Sequence, residues 1–344
     1  MTAERKQPVV LVDTENLTEE EWLSWRRRGI GGSDAAAVMG QSPFCTKRDL
    51  YYDKKGIKPV LEEEESNWVA KEVGHRLEDL VAKIFSNKTG FPVYPVRKMF
   101  QHAKYPFMLA DVDFFIVFPD GSRGILECKT TNYNCQDKWA NNSVPVNYEY
   151  QGRHYMAVMN LDVVYFACLY GNNENEFIIR KMERDLDAEA DLIAEEEYFW
   201  MECVLKGEEP PYTEKPDLVL ESIRKFCGPA EPDAEMLRLG SGYVNSIKRY
   251  MELKNRKSVL EAEAKRVDTE MKSAYCGIVE AMGVNCKATV QSGDERYTVT
   301  YNPVYRTGID RKNLERLKLQ HPDIYDDYVT VSESRRFSVK KEAA

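Results

Sequence analysis

Gly124-Ile125-Leu126-Glu127-Cys128-Lys129 is the stretch that decides the fold, because it has the pattern of a buried strand that carries two charges. In a strand, residues two positions apart point to the same face, so Glu127 and Lys129 project together. Buried strands rarely carry two charges on one face unless the charges are paired or functional. The stretch therefore indicates either a simple surface ion pair or a functional site.

The segment before this strand predicts its antiparallel partner. Residues 107–118 and 123–130 are apolar and flank the turn signal Pro119-Asp120-Gly121-Ser122. Asp113 opposes Glu127 only if the connection has an odd number of residues, whereas a two-residue Asp-Gly turn would set Asp113 against Cys128. We therefore expect a three- or five-residue loop, or a bulge.

The rest of the chain up to residue 206 alternates between helical and strand patterns, which indicates an α/β or α+β fold with a mixed sheet flanked by helices. Two short helices joined by Gly29–Gly32 are expected within 20–40, and Ser33 and Asp34 are typical N-cap residues for the second. The other predicted elements are a helix at 67–89 ended by Gly90, a helix at 147–160, strands at 162–170 and 175–182, and a helix at 186–205.

Three regions are expected along the chain. Residues 1–206 form the domain with the charged strand, and residues 207–235, which contain five prolines, form a linker or an extended crossing segment. Residues 236–344 form an accessory domain. Apolar residues at heptad-like spacing between Leu253 and Ile278 predict a long helix there that packs against another helix. A β-hairpin over 286–301 is expected to follow it.

Composition limits the class of protein. The 344 residues include 48 Lys and Arg against 57 Asp and Glu, for a net charge of −9, which argues against a general nucleic-acid coat. A nuclease that keeps its positive charge local is still compatible with this balance. The sequence shows neither the apolar run of a membrane helix nor the core of a signal peptide, so we expect a cytoplasmic protein without membrane contact.

The metal-ligating residue types favour oxygen ligands. Eight cysteines occur without a Cys-x-x-Cys pair, and only four histidines are present. Their spacing does not match an iron–sulfur cluster, and in a cytosolic protein such cysteines are typically free thiols. A metal held by carboxylates is most often magnesium, with manganese as the alternative.

Five segments in order resemble the YqaJ-like viral recombinase family, a branch of the PD-(D/E)xK nuclease superfamily related to phage lambda exonuclease. They lie between about residues 20 and 185, and each is common alone. The segments are Glu21–Asp34, similar to the family's W-x3-R and GIGGSD opening, Gly74–Glu78, Ala110–Asp113, Leu126–Thr130, and Tyr148–Met156.

The resemblance implies a restriction-endonuclease-like core and a role for each matching residue. Asp111 is an alternative ligand to Asp113, because it replaces a common Asn, and Phe114 departs from the family's Gly. The implied roles are Mg²⁺ ligation by Asp113, Glu127 and Glu78, catalysis by these three together with Lys129 and Gln151, and binding of a terminal phosphate or DNA by Arg26, Ser33 and Tyr155, with Tyr155 also supporting the site.

The function expected from this resemblance is a metal-dependent exonuclease that digests double-stranded DNA ends, 5′ to 3′, in phage-type recombination. Relatives form homo-oligomeric rings and work with a single-strand annealing protein. Basic residues between Lys248 and Lys257 are a candidate lining for such a channel, or else an ordinary solvated helix face. Two alternatives stay open: an endonuclease with the same site, and a non-catalytic DNA-binding or assembly module.

Overall fold

The computed structural model describes residues 7–61, 68–231, 233–306 and 308–330. Its first unit ends at Pro229 and contains two β-sheets. The strands of this first unit are β1 (Val9–Asp13), β2 (Ile30–Gly31), β3 (Val93–Pro95), β4 (Lys98–Gln101), β5 (Met108–Asp111), β6 (Phe114–Val117), β7 (Arg123–Thr130), β8 (Val163–Leu169) and β9 (Phe177–Glu183). Its helices are α1 (Glu19–Arg26), α2 (Gly32–Val38), α3 (Lys47–Lys54), α4 (Trp68–Thr89), α5 (Val146–Met159), α6 (Leu186–Tyr198) and α7 (Pro216–Cys227).

The larger sheet has the strand order β3-β6-β7-β8-β9. Strands β7 and β8 run parallel, because helix α5 connects them, and the other neighbours are antiparallel. The smaller sheet has the order β1-β4-β5-β2. The predicted mixed sheet is confirmed.

The two faces of the larger sheet are covered by different helices. Leu126 belongs to the apolar cluster that packs against Val81 and Phe85 of α4. Ile125 belongs to the cluster that contains Met156 of α5. Because side chains alternate along a strand, Glu127 and Lys129 share the face of Ile125, on the side of α5.

The register of the central hairpin is the one that brings Asp113 beside Glu127. Phe114 pairs with Leu126 and Val117 pairs with Arg123, which leaves a five-residue connection. The expected odd-length loop is confirmed, and Gly121 takes the positive φ of +81° that its turn requires.

The expected single strand over 107–118 is wrong, because the chain changes sheets within it. Strand β5 pairs with β4 and β2, whereas β6 pairs with β3 and β7. Between them, the carboxylate of Asp113 accepts the Cys128 N–H at 2.8 Å, and its carbonyl accepts the Val96 N–H at 3.0 Å. A side-chain oxygen thus replaces a ladder hydrogen bond, and Asp113 lies at the junction of the two sheets.

The expected N-cap of α2 is also wrong. The helix begins at Gly32, with Gly31 as its N-cap in an extended conformation. Asp34 lies in the first turn and its Oδ2 accepts the Gly31 N–H at 2.9 Å. The helix starts earlier than predicted because this carboxylate reaches back to the orphan N–H of the cap.

The boundary between the two units falls between Pro229 and Ala230, inside the segment 207–235. Part of that segment is helix α7, which begins with Pro216 at its first position and belongs to the first unit. Helices at 67–89 and 147–160 and strands at 162–170 and 175–182 are confirmed within two residues. The pattern at 186–205 is α6 followed by a π-helical turn.

The second unit contains α8 (Val244–Met282), β10 (Lys287–Ser292), β11 (Glu295–Thr300), α9 (Arg311–Gln320) and α10 (Pro322–Tyr328). The long helix and the hairpin are confirmed, but the heptad residues do not pack against another helix within the described part of the chain. The heptad residues of α8 are exposed, among them Leu253, Val267 and Met271. Among the described residues, no helix combines the length and the apolar character that a membrane crossing requires.

Candidate active site

Glu127 lies at the centre of the candidate site, with a side chain only 3% exposed. Its Oε1 accepts hydrogen bonds from Lys129 Nζ and from Gln151 Nε2, each at 2.6 Å. Its Oε2 is buried and has no hydrogen-bond partner among the residues that the structure describes. Burial, together with the nearby charge of Asp113, raises the pKa of Glu127 to about 8. A buried carboxylate oxygen without a partner is costly, which makes it a candidate ligand.

Lys129 lies on the same face, two residues further along β7. Its ammonium also stands 4.8 Å from the centre of the Tyr148 ring, a cation–π contact. Burial disfavours its charge, but the carboxylates of Glu127 and Asp113 outweigh that effect and raise the pKa of Lys129. The amine is therefore held as a cation beside the carboxylates.

Asp113 and Glu78 complete the acidic group. Burial raises the pKa of Asp113, although Lys129 and the Cys128 N–H act in the opposite direction. Glu78 comes from α4 and lies 3.5 Å from the Nδ1 of His75. Burial and the charge of Asp113 raise the pKa of Glu78 to about 7. The three carboxylates repel one another, so the ionised form of each is disfavoured.

Gln151 and Tyr155 support this group from α5, one turn apart. The amide of Gln151 donates to Glu127 and lies 3.3 Å from the hydroxyl of Tyr155. The Tyr155 hydroxyl in turn donates to the Asp111 carbonyl at 3.0 Å, and both side chains are buried. Tyr155 thus ties the helix to the end of β5 and fixes the amide that orients Glu127.

Asp111, the alternative ligand, has a different partner. Its Oδ2 accepts the indole N–H of Trp22 at 2.6 Å. Burial raises its pKa, although this hydrogen bond acts in the opposite direction. The carboxylate of Asp111 therefore orients Trp22, while Asp113 lies nearer to Glu127 through the hairpin register.

Arg26 and Ser33 meet at the start of α2. Nη2 of Arg26 donates to Ser33 Oγ at 2.7 Å and to Asp34 Oδ1 at 2.6 Å, and its guanidinium lies 5.0 Å from the centre of the Trp22 ring. Burial opposes its charge, but Asp34 outweighs it and raises the pKa of Arg26. Arg26 is thus fixed by neighbours rather than extended into solvent.

One open cavity of about 1020 Å³ joins these two groups of residues. The acidic group and its supports line it, and so do Arg26 and Ser33. The structure therefore brings together every predicted site residue: Arg26, Ser33, Glu78, Asp113, Glu127, Lys129, Gln151 and Tyr155. Their chemical roles are a matter of proposal.

The residues fit a divalent cation that takes oxygen ligands. No ready-made group of three His, Cys, Asp or Glu side chains that could hold a metal ion occurs in the part of the chain that the structure describes. Magnesium needs only one or two carboxylates, since water and substrate phosphates supply its other ligands. The partnerless Oε2 of Glu127 and the mutual repulsion with Asp113 are features that a bound cation relieves.

Sequence reasoning missed three residues of the cavity and its wall. Trp22, Asp34 and Lys54 hold Arg26 or Asp111 in place, and Lys54 reaches Asp34 Oδ2 at 2.7 Å. Trp22 and Asp34 lie within the Glu21–Asp34 segment, so their closeness to Arg26 in the sequence could have indicated that they contact it. Lys54 is far from that segment in the sequence, and no local pattern points to it.

Comparisons with known proteins agree with the arrangement of these motifs. A model of the YqaJ-like viral recombinase domain matches residues 21–162, a range that contains every residue of the candidate site. The uncharacterized protein YqaJ of Bacillus subtilis (strain 168) is 33% identical over 349 residues, which cover 99% of this chain and 99% of that protein.

Two solved structures are more distant. The alkaline exonuclease LHK-Exo from Laribacter hongkongensis is 19% identical, with a TM-score of 0.44 over 53% of this chain and 91% of that one. A phage related exonuclease from Haemophilus somnus 129PT is 12% identical, with a TM-score of 0.38 over 54% of this chain and 99% of that one.

Proposed function

Because this chain belongs to the YqaJ-like viral recombinase family, we propose that it is a phage-type nuclease. Specifically, it hydrolyses phosphodiester bonds at the ends of double-stranded DNA, 5′ to 3′, with Mg²⁺ or alternatively Mn²⁺. The observation that carries the proposal is the convergence of Glu127, Asp113 and Lys129 in one cavity.

In this proposal Asp113 and Glu127 hold the metal ion, and Glu78 contributes from the rim of α4. A divalent ion bound there stabilises charge on the phosphate and acidifies a water molecule. Lys129 orients the attacking water and screens the negative charge that develops on the phosphate. Gln151 keeps Glu127 in place through its 2.6 Å hydrogen bond, and Tyr155 keeps Gln151 in place.

The choice of an exonuclease over an endonuclease rests on Arg26 and Ser33. The guanidinium at the end of α1 and the hydroxyl in the first turn of α2 suit a phosphate, because the fork of N–H donors matches its oxygens. A site for a terminal phosphate in the same cavity as the carboxylates favours cleavage near an end. Replacement of Arg26 by Ala is then expected to reduce any preference for 5′-phosphorylated ends.

The proposal extends to assembly. A homo-oligomeric ring would place acidic surfaces on its outside and positive charge only along the channel that holds the DNA. This arrangement reconciles the net charge of −9 with a nucleic-acid substrate. The partner would be a single-strand annealing protein, and the location the cytoplasm. The exposed heptad residues of α8 support a role of the second unit in contacts between proteins.

The test compares the wild type with Glu127→Ala on end-labelled linear duplex and on closed circular DNA, with Mg²⁺. We expect the wild type to degrade the linear duplex and spare the circle, and the variant to leave both substrates intact. Glu183→Ala is the matched control, since Glu183 lies at the end of β9 and pairs only with Lys181 among the described contacts.

Each other outcome selects a different function. Nicked or linearised circles would indicate the endonuclease. Intact linear duplex with both Mg²⁺ and Mn²⁺ would contradict a nuclease and favour a DNA-binding or assembly module. Equal loss of activity in Glu183→Ala would show that the effect of Glu127→Ala is not local.

A further inference from the structure

Asp34 is the carboxylate between two cations, the half-buried guanidinium of Arg26 and the buried ammonium of Lys54. Its Oδ1 accepts from Arg26 at 2.6 Å, and its Oδ2 accepts from Lys54 Nζ at 2.7 Å. The side chain of Lys54 is only 1% exposed, and its ammonium also donates to the Arg26 carbonyl at 3.3 Å. Lys54 therefore lies behind Asp34, where it cannot touch a ligand in the cavity.

The charges of this cluster do not cancel. Burial disfavours the charge of Asp34, but Arg26 and Lys54 outweigh it and lower its pKa to about 2, so the carboxylate stays ionised. Asp53 lies 3.9 Å from Lys54 Nζ and is itself paired with Arg27 at 3.3 Å, so the three cations and two anions together leave one net positive charge beside the cavity. Without Lys54, the Arg26–Asp34 pair would be neutral, and a phosphate at Arg26 would face a buried carboxylate.

The position of Arg26 also depends on Asp34. The carboxylate holds Nη2 of the guanidinium, and the Trp22 ring covers its face at 5.0 Å. A carboxylate is the strongest partner for orienting a guanidinium, but it also competes with a phosphate for the same donors. A second cation on the far oxygen of the carboxylate weakens that competition.

We infer that Lys54 is a positioning residue for the binding of a terminal DNA phosphate. Lys54 compensates the charge of Asp34, so that Arg26 is oriented by Asp34 and is still free to attract the phosphate. This inference rests on the proposed function and deepens it. It assigns to α3 a part in substrate selection, although Lys54 makes no contact with the cavity's contents. The ligand is a phosphomonoester at a strand end.

The test measures binding without divalent metal, in EDTA, so that it does not depend on cleavage. The probes are two otherwise identical duplex oligonucleotides, one 5′-phosphorylated and one with a 5′-hydroxyl. For Lys54→Met we expect the preference for the phosphorylated duplex to fall on the order of tenfold, because a charge-assisted contact is lost. Binding of the 5′-hydroxyl duplex should change little.

Two further variants separate charge from structure. Lys54→Met combined with Asp34→Asn restores one net positive charge, and we expect it to recover much of the preference that Lys54→Met loses. Lys55→Met is the matched control, because Lys55 is exposed at the end of α3 and bonds only the Val204 carbonyl among the described contacts. It should bind both duplexes like the wild type.

The outcomes that overturn the inference are specific. An unchanged preference in Lys54→Met, or a double variant no better than the single one, would show that Lys54 serves only the packing of α3. If Lys54→Met fails to fold, Lys54→Arg and the double variant provide the test of the inference. Lys54→Arg keeps the positive charge, and the double variant removes both charges of the Lys54–Asp34 pair together.

Failure of the proposed function looks different. If the wild type cleaves no DNA but prefers the 5′-phosphorylated duplex, and Lys54→Met loses that preference, the nuclease proposal is contradicted and the inference stands. A wild type that degrades linear duplex without any preference for a 5′-phosphate would contradict the inference and keep the nuclease.

Discussion

At the scale of single residues, Glu127 shows how the fold stores unfavourable charge. It is buried near Asp113 and Lys129, and one of its oxygens has no hydrogen-bond partner within the described ranges of the chain. The lysine offsets part of the repulsion between the carboxylates, but the pKa of Glu127 is still raised to about 8. A group held in this way is ready to take up either a proton or a cation.

The stability of the metal-free protein should therefore depend on pH in a particular direction. Glu127 and Glu78 ionise near an ordinary pKa of 4.5 in the unfolded chain, but their pKa values are raised to about 8 and about 7 in the fold. Between these values the native state holds more protons, so these two groups lower the free energy of unfolding as pH rises from 4.5 to 8.

Thermal unfolding in EDTA at pH 5 and pH 8 measures this effect, with Glu127→Gln as the comparison. We expect the wild type to lose more stability relative to the variant at pH 8, and Mg²⁺ to stabilise the wild type more at pH 8 than at pH 5. A difference between wild type and variant that is the same at both pH values would contradict the raised pKa.

Gly32 is a second residue whose identity the packing dictates. A Cβ at this position would lie 2.4 Å from Cε1 of Tyr155, which is closer than real contacts allow. We expect Gly32→Ala to cost about 1–3 kcal/mol in the free energy of unfolding, because the ring has to move, and to lower nuclease activity through Gln151. Urea denaturation checks the first effect. Wild-type stability would mean that the ring has room to shift.

At the scale of elements, helix α5 holds the site together. Gln151 and Tyr155 lie one turn apart and face the acidic group. On another face of the helix, His154 Nε2 donates to the Leu109 carbonyl at 2.8 Å, and its Nδ1 lies 2.8 Å from the carboxylate of Glu196 of α6. The helix is thereby fixed to β5 and to α6, so the amide that orients Glu127 has little freedom.

Helix α4 contains a glycine, Gly74, that packing does not require, in contrast to Gly32 of α2. A Cβ there would meet only Thr130 Oγ1, at an ordinary 3.6 Å. Because Gly costs about 1 kcal/mol relative to Ala inside a helix, we expect Gly74→Ala to stabilise the protein by up to about that amount. Thermal or urea unfolding measures it, and Gly32→Ala is the matched substitution with the opposite expected sign.

The activity of Gly74→Ala adds a separate reading. A more stable variant that has lost cleavage would show that Gly74 leaves space for the substrate beside Glu78. A less stable variant would contradict the open space at this position.

At the scale of the whole molecule, the chain divides into two units after Pro229. All residues of the candidate site belong to the first unit, including Lys54 and Trp22. Helix α7, from the proline-containing segment, also belongs to it, and Ser222 of α7 donates to Asp49 of α3 at 2.6 Å. The first unit is therefore the part that should carry the chemistry.

A fragment of residues 1–229 tests this division. We expect it to fold cooperatively, to keep the stabilisation by Mg²⁺ at pH 8, and to cleave DNA if the site is complete within it. Circular dichroism melting and size-exclusion chromatography against the full chain measure folding and assembly. A fragment that is unfolded would contradict an independent first unit, and one that folds but no longer assembles would assign oligomer contacts to residues 230–344.

The periodic and parity-based features of this protein are determined by the sequence alone. The alternation around Glu127 and Lys129 sets their common face. Counting residues shows that Asp113 opposes Glu127 only if the loop has an odd length, and the structure shows the five-residue loop. Helices α4 and α5 and the long helix α8 follow from helical spacing. These features are local, because each depends on residues a few positions apart or on one hairpin.

Only the tertiary structure decided where the chain changes sheets and what holds Arg26 and Asp111 in place. Strands β1 to β4, missed from the sequence, are short. Strands β2 and β4 pair with β5 in one sheet, whereas β3 pairs with β6 in the other. The contact between Lys54 and Asp34 joins residues 20 positions apart on separate helices, and Trp22 reaches Asp111 across 89 positions. Such pairs depend on how elements pack, and no local period encodes the packing.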